Sequence, residues 1–403
     1  MDPFFTDLGR TILARWQAAN FSLTKFPQIA KTALDENPPV DHVDLPALIR
    51  EFLLNDEQRF QSNSGFGQPE IIVYDDPRFY IQILFWLDGT TQIHQHEFSG
   101  AFHVLGGSSI HSIFGFEDAR SISAHFRVGD VQLKKTHFLP TGSTVPIISG
   151  GQYIHSLFHL ESPSLTVVVR THNDPGTSPQ FTYLPPHLAI DPFFTDALTS
   201  RRCQLLDVLE HTGDPEYPDL VREMIGQLDF ERGYFILQNG FDYLQSLGEW
   251  SDTWKAFQKK HRALSRYILP TLEETKWRDR VVRLRSSVSD VEHRFFLALL
   301  LNIPGKPEIL KLVASHFDGA PIDNILRWSE ELSEQTEDSF YILDAEWPEE
   351  LGDPDPDLYF AAFRDFLAPT KAKSTSLPSL APRDREVIRA SFERSALRAL
   401  VSP

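Results

Sequence analysis

The 403-residue chain is poor in cysteine, in positive charge and in long apolar runs. Its one cysteine, Cys203, excludes an intrachain disulfide and is typical of a protein from a reducing compartment. No stretch reaches the about 18 uncharged apolar residues that a membrane-spanning helix needs, and the first ten residues lack the pattern of a secretion signal. We therefore expect a cytoplasmic protein that has no membrane partner.

The shortage of positive charge gives a formal net charge of −18. A surface of this sign repels phosphate groups, so the composition argues against a general nucleic-acid partner. The basic stretch KWRDRVVRLR, Lys276 to Arg285, is a local exception. It predicts the solvated face of a helix, or else a surface that contacts a partner.

Three regions differ in their hydrophobic pattern. Residues 1–62 have apolar residues at helical spacing, as in LPALIREFLLNDEQRF, where Asp44 is placed to cap the helix. Residues 63–188 contain short runs rich in β-branched and aromatic residues, separated by Asp, Gly, Pro and Ser, which predict a sandwich or small barrel. Residues 189–403 are again helical in pattern. We therefore predict an α+β fold with an N-terminal helical segment, a β domain and an all-α domain.

The hexapeptide DPFFTD occurs twice, at positions 2–7 and 191–196. In each copy the first Asp followed by Pro predicts the start of a helix. The flanking residues do not continue the match, so the repeat does not indicate duplicated domains.

Two histidines lie one residue apart in GTTQIHQHEFSGAFHVLGG, Gly89 to Gly107. On a strand, residues i and i+2 point to the same face, so His94 and His96 could share one metal ion. The best third ligand is His155, in SGGQYIHSLFH. A single buried histidine is more often a hydrogen-bonded core residue than a ligand, so the hypothesis depends on the two stretches occurring together.

The two stretches together resemble the two motifs of the cupin superfamily, a glycine followed by a His-x-His pair, and a proline and glycine followed by a histidine. The matching residues are Gly89, His94, His96 and Gly106 in the first motif and Pro146, Gly151 and His155 in the second. The resemblance implies a jelly-roll β-barrel that binds a metal ion through His94, His96 and His155.

The first motif departs from the general cupin pattern. Gly100 and Ala101 stand where the cupin glutamate would fall. The resemblance is therefore to the three-histidine type and is strongest to thiol dioxygenases such as cysteine dioxygenase, over the β region alone. It implies Fe(II) as the cofactor, although imidazole also suits Zn, Cu and Ni, so another divalent metal stays open.

Three positions argue against cysteine as the substrate. Ala101 stands at the family's cross-linking cysteine, Arg170 at its catalytic tyrosine, and Glu70 near its substrate-binding arginine. The metal chemistry could be shared while the substrate differs.

The alternation of side chains along the strands selects further candidates for contact with the substrate. Tyr80, Gln82 and Trp86 share one face of the strand before the histidine pair, and are predicted to line a substrate pocket. Arg170 and His172 share a face of the last strand of the barrel. Arg170 could bind a substrate carboxylate bidentately, or form an ion pair at the barrel mouth.

Three more side chains are candidates near the ligands. His159 is expected on the same strand face as His155, and His103 on the same strand face as Ala101. Each of these two histidines could be an acid or base, a fourth metal ligand or a structural histidine. Tyr153 is in phase with His155 and could donate a hydrogen bond to bound oxygen.

Two functions follow as hypotheses. The first is a mononuclear non-haem Fe(II) oxygenase that uses dioxygen on a small carboxylate- or amine-bearing molecule, with the helical domain covering the barrel or mediating a homodimer. The second is a non-catalytic cupin that senses a metal or ligand and contacts a partner through its helical domain. A cupin isomerase or decarboxylase also fits, since spacing does not select a reaction. A 2-oxoglutarate oxygenase fits less well, because it would have Asp or Glu at position 96.

Overall fold

The computed structural model describes residues 3–55, 60–61, 67–87, 89, 92–177, 179–334, 347–353, 355–368 and 381–401. Its strands are β1 Glu70–Asp76, β2 Phe79–Trp86, β3 Gly100–Gly106, β4 Ser109–Ser121, β5 Phe126–Leu139, β6 Thr144–Ile147, β7 Ile154–His159, β8 Ser164–Thr171, β9 Thr182–Leu184 and β10 Leu188–Ile190.

The described strands pair as two five-stranded antiparallel sheets. The first sheet has the order β1-β2-β8-β3-β6, and the second has the order β7-β4-β5-β10-β9. Side chains from both sheets form one core between them, including Trp86 and Val168 from the first sheet and Leu157 from the second. The α+β class is confirmed. The pairing within the described residues does not show a closed barrel.

The N-terminal helices are α1 Pro3–Ala18, α2 Phe26–Glu36 and α3 Leu45–Leu54. They cover the outer face of the first sheet, where Trp16 and Phe26 pack on Phe79. Asp44 caps α3 as predicted, since its side chain accepts a hydrogen bond from the backbone N–H of Ala47. Strand β2 is thus covered on both faces, which explains why all of its residues are buried.

The remaining α-helices lie after the sheets. They are α4 Ala197–Thr212, α5 Tyr217–Gln227, α6 Phe230–Ser246, α7 Trp250–His261, α8 Leu269–Ser287, α9 Val291–Asn302, α10 Lys306–His316, α11 Pro321–Glu334, α12 Pro356–Leu367, α13 Pro382–Arg394 and α14 Arg398–Val401. Short 3-10 turns occur at Pro39–Asp41, Arg262–Tyr267 and Glu349–Leu351.

These helices pack on the outer face of the second sheet. Phe126 and Leu188 join a core formed by helices α4 to α8. Ile110, Phe158 and Leu160 join a second core formed by α8 and the later helices. The domain boundaries at positions 62 and 188 stay a prediction, and position 62 lies outside the described residues.

The basic stretch in α8 is not a solvated face throughout, because two of its arginines bind backbone carbonyl oxygens, although Arg283 is exposed. Arg278 donates to the carbonyl oxygen of Leu301 at 2.7 Å, and the almost fully buried Arg285 donates to that of His159 at 2.9 Å. The prediction was wrong for these two residues because their guanidinium groups bind carbonyl oxygens of neighbouring elements.

The two copies of DPFFTD differ in structure. Pro3 of the first copy begins α1, whereas the second copy forms a turn and its last residue, Asp196, caps α4. Asp191 was predicted to cap this helix and does not. Its carboxylate instead accepts hydrogen bonds from the His125 ring at 2.8 Å and the backbone N–H of Phe193 at 2.9 Å.

Among the described residues, none of the helices combines the length and the apolar composition that crossing a bilayer requires.

Candidate metal centre

The structure brings His94, His96 and His155 together between the two sheets. His94 and His96 lie in the irregular segment between β2 and β3, and His155 lies near the start of β7. The backbones of His94 and His155 exchange two hydrogen bonds of 2.9 Å, which form an isolated β-bridge. One candidate ligand atom from each of the three rings lies within 4.8 Å of the others.

The distances fit a shared ion. Nε2 of His96 lies 2.8 Å from Nε2 of His155. Two imidazole nitrogens that bind one ion at about 2.1 Å, at right angles to each other, lie roughly 3 Å apart. The two rings are therefore already close to the positions that a common ion would require.

The protonation of the three rings also suits ligation. They are 6, 3 and 2 % exposed. Burial lowers the pKa of His94, and burial together with the nearby His94 ring lowers the pKa of His96 and of His155 well below the usual value. All three rings are therefore neutral at pH 7, which is the form that binds metal ions.

The second nitrogen of His94 is held by the backbone. Its Nδ1 lies 2.7 Å from the carbonyl oxygen of Gln92, which can accept only from a protonated nitrogen. In this tautomer Nε2 carries the lone pair. A backbone carbonyl is a common partner of a metal-binding histidine, so the residues present fit a divalent ion.

A small cavity of about 40 Å³ lies at the three histidines, enough for about three water molecules. Its walls come from both sheets and from the His94–Phe98 segment. The lining residues are Gln82, Leu84, Trp86, His94, His96, Phe98, Phe102, Ile147, His155, Leu157, Thr166, Val168 and Arg170. Because Arg170 is the charged residue of this set and no carboxylate belongs to it, the described lining is positive.

Arg170 is fixed in place beside His96. Its guanidinium lies over the rings of Phe98, at 3.6 Å from the centroid, and Tyr80, at 5.2 Å. It also donates to the carbonyl oxygens of Thr171 and His172. Burial lowers the pKa of Arg170, but a guanidinium starts high enough to remain charged at pH 7.

Gln82 and Trp86 lie in the cavity wall, as strand parity predicts. The Gln82 side chain is 1 % exposed, and its Oε1 has no hydrogen-bond partner among the described residues. The Trp86 indole N–H donates to Thr166 Oγ1 at 3.2 Å. Buried polar atoms usually have a hydrogen-bond partner, so Gln82 Oε1 is available as an acceptor for a donor group inside the cavity.

Tyr80 and His172 lie beside the cavity and not in its lining. The two rings are 5.1 Å apart, and His172 Nε2 is 3.1 Å from the carbonyl oxygen of Asp76. They contact Arg170 and could support its position.

His103 was a candidate acid, base or fourth ligand, and its position fits the alternative of a structural histidine. Ala101 belongs to the core between β3 and the N-terminal helices, and His103 shares its face. His103 Nδ1 lies 2.9 Å from Thr144 Oγ1, and the ring is close enough to Asp35 and Asp41 to feel their charge. Strand alternation therefore directs this ring away from the cavity.

His159 shares a strand face with His155 but does not line the cavity either. Four residues along a strand correspond to about 13 Å. The His159 ring stacks on Trp86 at 4.7 Å, and its Nδ1 lies within 3.0 Å of the hydroxyls of Ser109 and Ser164. The role of acid or base at the metal centre is not supported by this position.

Tyr153 lies against the metal-ligand candidates, on the side away from the cavity. Its hydroxyl is 3.4 Å from Nδ1 of His155, the nitrogen opposite to Nε2. This position does not support the predicted hydrogen bond to bound oxygen, because the phenol contacts the edge of the His155 ring that lies opposite to Nε2.

Sequence reasoning missed His111. Its Nε2 lies 3.1 Å from His155 Nδ1 and 3.1 Å from the Tyr153 hydroxyl. His111 lies on β4, which pairs with β7. The available signal was a histidine within the apolar strand SIHSIF, but only the pairing of the two strands places it beside His155.

Gly100 lies where the backbones of β3 and β8 approach each other closely. A Cβ atom at this position would lie 1.9 Å from the backbone oxygen of Val169 on β8. No side chain fits there, so a carboxylate ligand from position 100 is sterically excluded.

A larger cavity, of about 610 Å³, lies elsewhere, between the β4–β5 turn and helices α4 and α6. It shares no lining residue with the histidine cavity. Within the part of the chain that the structure describes, the three histidines are the group of three or more His, Cys, Asp or Glu that could hold a metal ion. The candidate metal site is therefore identified by its ligand residues and not by the volume of its cavity.

No model of a known protein family matches the sequence, and no curated protein matches it either. Among solved structures, the chain is similar to KdgF from Halomonas sp., with 17% identity, 30% of this chain and 94% of that chain covered, and a TM-score of 0.20. The DMSP lyase DddQ from Ruegeria pomeroyi DSS-3 has 15% identity, 46% and 98% coverage and a TM-score of 0.24. Hydroquinone 1,2-dioxygenase from Sphingomonas sp. TTNP3 has 10% identity, 27% and 68% coverage and a TM-score of 0.20. TM-scores this low do not establish a shared family or activity.

Proposed function

We propose that this protein is a mononuclear non-haem Fe(II) cupin oxygenase of the dioxygenase type. The observation that carries the proposal is the convergence of three buried, neutral histidines, with ligand atoms within 4.8 Å of one another, on a cavity that contains a partly buried arginine, Arg170. His94, His96 and His155 would hold the ion. When bound, Fe(II) would supply open coordination positions for substrate and dioxygen and the electrons that activate dioxygen. The choice of iron rests on the motif resemblance to thiol dioxygenases.

The cavity favours a carboxylate-bearing substrate over an amine. The described lining contains Arg170 and no carboxylate, so an anion gains a favourable charge interaction there and a protonated amine does not. Its volume of about 40 Å³ restricts the substrate to a small group at the metal.

Two side chains would orient the substrate. Arg170 is held by Phe98 and by two backbone carbonyls, so its guanidinium would bind a carboxylate without losing much side-chain freedom. Gln82 Oε1 would accept a hydrogen bond from a hydroxyl or amide of the substrate. The apolar walls formed by Phe102, Leu157 and Val168 would exclude bulk water.

Iron binding is the first test. The protein is purified without oxygen, loaded with Fe(II), and its nitric oxide adduct is recorded by electron paramagnetic resonance. We expect a high-spin iron–nitrosyl signal near one equivalent, lost in His94→Ala, His96→Ala and His155→Ala. A wild type that binds no iron, or variants that bind it equally well, would overturn the proposal.

The second candidate is a non-catalytic sensor, and two contacts favour it. Buried Arg285 and Arg294 bind the carbonyl oxygens of His159 and Leu160, at the end of the strand that carries His155. A ligand-dependent shift of β7 would therefore act directly on helices α8 and α9. Oxygen consumption by the iron-loaded protein with small carboxylates separates the two functions, because the sensor binds them without consuming oxygen.

A further inference from the structure

Nδ1 of His155, the ring nitrogen that faces away from the cavity, meets two other polar groups. It lies 3.1 Å from Nε2 of His111 and 3.4 Å from the hydroxyl of Tyr153, and these two partners are 3.1 Å from each other. All three side chains are buried, at 2, 2 and 8 % exposure. A wrong hydrogen-bond arrangement here would leave a buried polar group unsatisfied.

The tautomers follow from this geometry. A neutral imidazole that binds an ion through Nε2 carries its proton on Nδ1, so His155 Nδ1–H must find an acceptor. His111 Nε2 accepts it if the His111 proton is on Nδ1. The other His111 tautomer would place two N–H groups against each other at 3.1 Å, which is repulsive.

His111 is the better placed of the two acceptors. The Tyr153 oxygen is 0.3 Å farther from His155 Nδ1 than His111 Nε2 is. A metal-binding histidine commonly donates to a carboxylate, a backbone carbonyl or water. Among the described residues, no carboxylate forms a hydrogen bond with His155, so an imidazole stands where such a group is usual.

The position of His111 is itself fixed by the fold. Strands β4 and β7 are paired so that Ile113 is opposite His155 and His111 is opposite Leu157. The His111 ring also stacks on His137, with centroids 5.8 Å apart and an angle of 26° between the ring planes.

We propose that His111 is a positioning residue for His155. It accepts the hydrogen bond from His155 Nδ1–H and so holds the tautomer and ring orientation that present Nε2 to the ion. The inference rests on the proposed metal site and assigns a role to a residue outside the ligand set. A neutral imidazole in this place adds no negative charge to the ligand, which suits a site that also attracts an anionic substrate.

Metal affinity and tautomer are measured on the full-length protein. Zn²⁺ is used for nuclear magnetic resonance because it is diamagnetic, with ¹⁵N-labelled histidine to report which nitrogen of His155 carries the proton. Fe(II) and Zn²⁺ affinities come from competition with a chelator. His111→Leu removes the acceptor, His111→Gln replaces it with an amide oxygen of similar reach, and His137→Leu is the packing control.

We expect His111→Leu to weaken metal binding about 10- to 100-fold and to disturb the Nδ1–H signal of His155. His111→Gln and His137→Leu should stay close to wild type. Thermal unfolding of the metal-free variants checks that each one is folded.

Two results overturn the inference while the metal site stands. One is a His111→Leu variant that binds metal as tightly as wild type with an unchanged His155 tautomer. The other is a loss of affinity in Tyr153→Phe that equals the loss in His111→Leu, which would assign the acceptor role to the phenol. A wild type that binds neither metal overturns the proposed function, and the inference with it.

Discussion

Arg285 donates a hydrogen bond of 2.9 Å to the carbonyl oxygen of His159, a residue 126 positions earlier in the chain. The guanidinium is almost fully buried and lies over the ring of Phe158. These contacts of one side chain connect helix α8 to the end of the strand that carries His155.

Replacing Arg285 should destabilise the protein. Arg285→Leu leaves the buried carbonyl oxygen of His159 without this donor, which costs about 1–3 kcal/mol of unfolding free energy. Denaturant unfolding of the variant measures the loss. Arg283→Leu, at an exposed position of the same helix, is the matched control and should change stability little. Equal effects of the two substitutions would show that the carbonyl contact is not the cause.

The sequence alone correctly predicts the features that depend on the local pattern of residues. The alternation of β2 correctly separates Gln82 and Trp86, which face the cavity, from Ile81 and Ile83, which face the N-terminal helices. The spacing of His94 and His96, with the second motif, selects the three rings that the structure brings together.

Features that depend on the packing of distant elements could not be predicted. His103 is in phase with Ala101, but only the position of the N-terminal helices shows that this face is the outer one. His111 reaches His155 through the pairing of β4 and β7, which no local pattern encodes. The arginines of α8 have a basic pattern that also fits a solvated helix, and their carbonyl partners lie on other elements.

Gly100→Ala should destabilise the first sheet. The added methyl group would lie 1.9 Å from the backbone oxygen of Val169, so β3 and β8 must move apart. Overpacking of this kind typically costs about 1–3 kcal/mol. Gly226→Ala in α5, where a methyl group meets no atom within 4 Å, is the control and should be neutral or slightly stabilising. Thermal unfolding compares the two, and a Gly100→Ala protein as stable as wild type would contradict the close approach.

Arg170→Met should abolish the response of the metal centre to small carboxylates. Wild-type iron–nitrosyl protein is expected to show a changed paramagnetic resonance spectrum on addition of such an anion, because the guanidinium holds it beside the ion. Arg170→Lys should retain part of the effect, since it keeps the charge and loses the bidentate geometry. Arg78→Met, at an exposed arginine, controls for the loss of a positive charge. Carboxylate binding that survives in Arg170→Met would place the anion elsewhere.

His159 should make stability depend on pH. Burial and the nearby Arg285 lower the pKa of His159 from 6.5 to about 3 in the folded protein. Between pH 6.5 and about 3 the unfolded chain therefore binds a proton that the folded protein does not, so stability falls as the pH falls. The slope from this residue is about 1.4 kcal/mol per pH unit. His159→Asn should lose that part of the slope, as measured by denaturant unfolding of the metal-free protein between pH 7 and pH 4. The exposed His211→Asn variant should keep the wild-type slope. If the slope of His159→Asn equals that of the wild type and of His211→Asn, His159 is protonated in the folded state.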